Sequence, residues 1–153
     1  MNLRWNGRER IAVPKATVWA FVNDPAKFAS CLPEVRETKV IDAHNLEATV
    51  GVAVGPLRGK LKFKIALQPR ADGSHLDIKI AGGGLGSSLD LHAGADLTDD
   101  GGEATILEWQ ATAAMRGPIA AMGGRTVDSQ AERVIGETFA NVKKRLGAEP
   151  HRA

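Results

Sequence analysis

Four histidines, one cysteine, a pair of serines and a run of glycines are the residues of this 153-residue chain whose types admit chemistry. Metal ligation needs several donors held together by a helical or hairpin spacing. His44 and His75 fall at or near turns and His151 in the tail, and no two of the histidines, His92 included, are spaced as helix ligands or accompanied by a carboxylate cluster. No metal site is expected. Cys31 sits beside Leu32-Pro33 at the end of a short helical pattern. The helix dipole disfavours a thiolate there, so a packed thiol is expected rather than a nucleophile. Ser87 and Ser88 lie in a strand pattern with no G-x-S-x-G elbow and no histidine partner. Gly82-Gly83-Gly84-Leu85-Gly86 leads into a strand and carries no lysine, which argues against a phosphate cradle. A hairpin or bulge is expected there, with gating of a pocket mouth as its candidate role. No residue is assigned a catalytic role.

The elements that must position these groups can be read from periodicity. Leu3 to Val13 alternates as a strand, with Leu3, Trp5 and Ile11 on one parity and Arg4, Arg8 and Arg10 on the other. Pro14 suits a first helical turn. Val18, Phe21 and Val22 then fall at helical spacing, and Asp24-Pro25 ends that helix and starts another, which stops by Pro33. Strand patterns follow over Glu34–Asp42, Leu46–Val54 up to the Gly55-Pro56 turn, Arg58–Gln68, His75–Ala81, Leu85–Leu97 and Ala104–Met115. The clearest has Leu61, Phe63, Ile65 and Leu67 facing one way and Lys60, Lys62 and Lys64 the other. With Arg58, these lysines form a basic stripe, either a solvated strand face or a contact for an acidic partner or anionic lipid. One long helix is expected from Pro118 to about Leu146, and a polar, frayed tail over 148–153. A strand, a broken helix pair, a run of antiparallel strands and a long last helix make an α+β helix-grip fold, a curved sheet of about seven strands wrapping the terminal helix.

Composition limits the function classes. The length suits a single domain over 1–147, and 43% hydrophobic with 25% charged residues is ordinary for a globular protein. A formal charge of +2 does not argue for nucleic acid. The polar N-terminus lacks a signal-peptide core, and one cysteine fits a reducing compartment, so a cytoplasmic protein is expected, with at most peripheral membrane contact.

The inward parities suit an apolar ligand. They are almost free of ionisable groups, and the small residues Ala111, Ala113, Gly123 and Gly124 either let the helix sit tight on the sheet or leave a pocket between the two. The candidate lining is Phe28 and Leu32 from the helix pair, Val52, Phe63 and Ile65 from the middle strands, and Leu89 and Leu91 from the strand after the glycines. Trp109, Ala111, Ala113 and Met115 are added by the last strand, and Met122, Thr126 and Gln130 by the terminal helix. Thr126 and Gln130 are the polar groups best placed to meet a carbonyl or headgroup; the helical phase equally admits both as surface residues.

The strings VWAFVNDP…CLPE, VGPLRGKLKFKI, GGGLG and RGPIAAMGGR occur in this order along nearly the whole chain. Together they resemble the CoxG family of carbon monoxide dehydrogenase, a branch of the START/polyketide-cyclase-like (SRPBCC) superfamily. The match departs at Glu34, where members often have glycine after Leu-Pro. The resemblance implies a non-catalytic accessory to a molybdenum-containing carbon monoxide dehydrogenase or related hydroxylase, coupling it to the membrane by carrying a quinone such as menaquinone, or a lipid. Two rivals remain open: a polyketide-cyclase-like or lyase enzyme, which needs a buried ionisable group facing the pocket, and a pocketless docking module, which needs a filled core.

Overall fold

A computed structural model describes residues 1–54, 57–70 and 72–148. The Gly55-Pro56 turn and the tail from 149 onward lie outside the described residues. The element order is β1 (Asn2–Ile11), α1 (Lys15–Val22), α2 (Pro25–Cys31), β2 (Val35–Val40), β3 (Asn45–Val54), β4 (Leu57–Pro69), β5 (His75–Gly84), β6 (Ser87–Asp100), β7 (Ala104–Arg116), α3 (Pro118–Ala121) and α4 (Gly124–Ala148). All strand pairs are antiparallel, in one sheet of order β1-β7-β6-β5-β4-β3-β2. The α+β class, the seven strands and the helix pair after β1 are as the sequence led us to expect.

Strands β1 and β2 follow one another in the chain yet form opposite edges of the sheet. The α1–α2 pair therefore bridges the two edges, which it can do only if the sheet curls toward it. Asp24 makes the corner between the helices: its Oδ1 accepts from the N–H groups of Ala26 and Lys27 at 2.9 and 3.1 Å, and Pro25 opens α2 without an orphaned donor. Two contacts latch α2 to α4. Asn141 Nδ2 donates to the Cys31 carbonyl at 2.9 Å, and Arg145 donates to Ser30 Oγ. Cys31 itself is fully buried, a packed thiol at the helix end.

The alternation read from the sequence decides the core. Leu46, Ala48, Leu61, Phe63, Ile65, Leu67 and Leu76 are buried on the concave face, whereas Lys60, Lys62 and Lys64 are exposed on the other. One core cluster centres on Val18, Phe21, Leu67, Val142 and Leu146, under the helix pair; a second joins Trp5, Ala111, Ala113, Met115 and Val127. Each large aliphatic or aromatic side chain fully buried there contributes about 1.5–3 kcal/mol.

Three expectations need correction. The terminal helix is not continuous. It breaks after α3, and Gly123 at φ 93° turns the chain before α4 begins. A side chain is disfavoured at that backbone angle, so Gly123 supplies the break. Nor does the strand before the glycines stop at Ala81, although the expected hairpin is present. Gly82, Gly83 and Gly84 belong to β5 and pair with β4 and β6, leaving Leu85 and Gly86 as the turn. A Cβ on Gly83 would lie 2.0 Å from the Ser87 carbonyl oxygen, so close strand approach requires glycine there. Finally, His75 does have carboxylate neighbours. Cross-strand pairing sets its Nδ1 2.7 Å from Asp96 and its Nε2 3.0 Å from Asp77. Both of its nitrogens face carboxylates, and no group of His, Cys, Asp and Glu suited to a metal occurs among the described residues.

Candidate ligand-binding site

The concave sheet and α4 do not fully meet. Between them lies a cavity of about 420 Å³. Strand β3 contributes Val50 and Val52, β4 Phe63 and Ile65, β5 Ile80, and β6 Leu89 and Leu91; Trp5 and Met115 close the β1–β7 side. Ile119 and Met122, on and just after α3, cap one end, and α4 supplies Val127, Ala131 and Ile135 at helical spacing. The space persists because Ala131 is small and because Trp109, the bulkiest inward residue of β7, is turned aside. Its ring lies over Gly7 and packs on Phe139 with centroids 5.6 Å apart.

Polar groups gather on one side of the cavity. Glu34, Arg36, Arg133, Ala53 and Val134 all line it and are all exposed, which marks the opening. Glu34 holds a left-handed φ of 62°, and its carbonyl accepts from the Gly51 N–H at 2.9 Å. Arg36 is the extra residue of a bulge, since Val35 pairs with Val50 and Glu37 with Thr49. Its side chain lies over Gly51, where a Cβ would come within 2.6 Å of Nε. On the helix side, Gln130 Oε1 accepts from Arg133 at 3.3 Å, and Arg133 also donates to Glu137 at 3.0 Å. Gln130 itself is part of the cavity lining.

Leu32, Val52, Phe63, Ile65, Leu89, Leu91, Met115, Met122 and Gln130 are thus brought together on the wall. Ala111 and Ala113 are buried beside it in the second core cluster, and Phe28 packs against the first. Thr126 is exposed and off the wall, because the break at Gly123 resets the helical phase that a continuous helix would have had. Trp5 is a wall residue on the parity that alternation gives to Leu3 and Ile11, and Ile80 and Ile119 line the wall as well. Ala131 and Ile135 needed the corrected phase. Of the glycine stretch, Gly86 packs against Pro118 at the α3 end, and the Leu85 side chain lies over Gly59. Ser87 Oγ accepts the Ile119 N–H at 2.9 Å, so this buried serine holds α3 in place.

The sequence model of the carbon monoxide dehydrogenase CoxG family matches residues 7–147. The chain belongs to that family. A comparison with curated proteins finds no match. Among solved structures, a conserved protein from Geobacillus kaustophilus superposes on this CoxG member with a TM-score of 0.86 at 22% identity, covering 95% of each chain. A START superfamily protein from Mycobacterium smegmatis gives 0.74 at 13% identity, over 94% of this chain and 97% of its own. A norcoclaurine synthase from Thalictrum gives 0.63 at 12% identity, over 95% and 94%. At these identities the structural likenesses establish the fold of the CoxG chain, a START-like helix grip, and nothing of its chemistry.

Proposed function

We propose that this CoxG protein is a non-catalytic carrier of one hydrophobic small molecule, a quinone such as menaquinone or another lipid. In this reading it serves a molybdenum-containing carbon monoxide dehydrogenase or related hydroxylase and connects that enzyme to the membrane. The observation that carries the reading is the cavity of about 420 Å³ with an apolar wall and polar groups confined to its opening. That volume lies within the roughly 300–1,000 Å³ of small-molecule sites. Left dry and empty it would cost about 10 kcal/mol, comparable with the whole stability of a domain. A greasy ligand reverses the sign, because each buried CH₂ contributes about 0.8 kcal/mol. The Gln130 amide and the Arg36 guanidinium are donors at the opening, which suits a quinone carbonyl or the polar end of a lipid.

Family membership supports the accessory role, and the wall chemistry supports a carrier over a catalyst. General acid–base work needs a titratable group aimed at the substrate. The ionisable residues on the described wall, Glu34, Arg36 and Arg133, are all exposed at its rim. A pocketless docking module would have a filled interior, which this protein does not.

Native mass spectrometry of gently purified protein, followed by solvent extraction and lipid analysis, tests the proposal. The expected result is a co-purifying quinone or lipid at one molecule per chain, or stoichiometric uptake of added menaquinone. Reproducible absence of both would overturn it.

A further inference from the structure

The two most exposed large apolar side chains among the described residues are neighbours, Val40 at 49% and Ile41 at 50%. They lie at the end of β2, an outermost strand of the sheet with β3 on one side only. The Ile41 N–H donates to the Asn45 carbonyl of β3 at 2.9 Å. Backbone groups alternate in direction along an antiparallel strand, so Lys39 and Glu37 also turn theirs to β3, in register with Glu47 and Thr49. Thr38 and Val40 turn their N–H and carbonyl groups the other way, where no strand of the described chain lies. Proteins ordinarily block such an edge. The opposite edge is guarded: β1 carries Arg4, Arg8 and Arg10 on one face, and Lys143 and Asp128 of α4 hold its Glu9 and Trp5. Along β2, in contrast, every residue from Arg36 to Ile41 is exposed.

We infer that β2 pairs with β2 of a second copy of this chain, antiparallel about a two-fold axis at Thr38, so that one sheet runs through both molecules. The charges of the strand select that register. Centred on Thr38, Glu37 faces Lys39 of the second copy and Lys39 faces its Glu37, which gives two opposite-charge pairs on one face. Centring on Glu37 or on Lys39 would set like charges opposite each other. Centring on Val40 would set Lys39 against Ile41 and leave Glu37 unmatched. The Thr38 register also uses the open backbone groups, since Thr38 exchanges hydrogen bonds with its own copy. It brings Val40 opposite Arg36 of the second copy and takes it out of water. Arg36 and Glu34 border the opening of the cavity, so the rim of each cavity adjoins the seam. A pairing this short buries little area, and association is therefore weak and concentration-dependent. The inference does not depend on what the cavity holds.

Sedimentation equilibrium from about 10 μM to about 1 mM, the range in which a small interface fills, tests it. A monomer–dimer equilibrium is expected. Glu37→Lys and Lys39→Glu should each raise its dissociation constant about tenfold, because either change turns two attractive pairs repulsive. The double variant Glu37→Lys/Lys39→Glu restores both pairs and should return the constant to within about threefold of wild type. Thr38→Pro should abolish the dimer, since it removes an outward N–H and spares the ladder to β3. Lys144→Glu, an exposed change on α4, should leave it unchanged. Circular dichroism and Tm matching wild type at low concentration show that the variants fold. Amide exchange at Thr38 and Val40 should slow as the dimer fills. A wild type that stays monomeric overturns the proposal and assigns the edge to a strand of another protein. A dimer that Thr38→Pro leaves intact, or that fills without slowing exchange at Thr38 and Val40, is made elsewhere and overturns it too. Single variants that weaken the dimer with no recovery in the double variant overturn the Thr38 register.

Discussion

The Trp5 indole of β1 donates from Nε1 to Asp128 of α4 at 2.6 Å, joining the edge of the sheet to the first turns of the helix that roofs the cavity. Trp5 is buried and lines the cavity, so one side chain both shapes the site and fixes the helix over it. A hydrogen bond to a charged acceptor of this kind contributes about 1.5–3 kcal/mol. Trp5→Phe is expected to lower stability by about 2 kcal/mol in urea denaturation and to weaken ligand uptake. Asp128→Asn, which keeps an acceptor, should cost less than Asp128→Ala. Equal losses for the two would show that the bond contributes nothing.

Glu34 occupies the left-handed region at the cavity rim. A side chain there costs about 1–2 kcal/mol, offset in part by the roughly 0.5–1 kcal/mol of extra entropy that glycine loses on folding. Glu34→Gly should therefore be neutral or stabilising by up to about 1 kcal/mol, and Glu34→Val clearly destabilising. Thermal melts of the two variants separate the cases; a melting temperature for Glu34→Gly well below wild type would contradict the strain.

Asp96 first and Asp77 second raise the pKa of His75 above the ordinary 6.5, against a smaller opposing effect of burial. The imidazolium is thus favoured in the folded state. Its contribution is fully present below pH 6.5 and is lost as pH rises through the raised folded value. Denaturation midpoints should fall over that interval, and His75→Gln should flatten the slope there. Below it, Asp42 and Asp72, both lowered from 3.8 by local hydrogen bonds led by the His44 N–H and Ser74 respectively, lose their contributions as the solution is acidified.

Ala131 faces the cavity from α4. Ala131→Phe places a ring in the open space and should reduce binding of an apolar probe at least tenfold while leaving the fold intact. If uptake is unchanged, the ligand lies elsewhere.

Much of this architecture was legible because alternation is a strong signal where one face is buried. The run from Leu61 to Leu67 could face only one way without burying three lysines. The helix pair was equally readable from Asp24-Pro25, a cap followed by a residue suited to the first turn. The site was read less well, and for physical reasons. Gly123 breaks the last helix through a backbone angle that composition alone leaves open, so Thr126 was placed inward and Ala131 and Ile135 were overlooked. Trp109 sits on the inward parity yet turns onto Gly7 and Phe139, a choice made by tertiary contacts that strand periodicity does not encode. The rim depends on a bulge at Arg36, which has no periodic signature. His75 gained its carboxylates only when β5 met β6.

Pairing of β1 with β7 matches Asn2 with Ala114 and Ile11 with Thr105. The first strand made by the ribosome therefore waits, without its partner, until residue 116 has emerged, and such distant pairing is intrinsically slow. Trp5 and Met115 reach the same wall only through that last zippering step. The hollow for a ligand is thus among the final things the nascent chain acquires, and an apolar molecule present at that moment can be enclosed as α4 settles over the curved sheet.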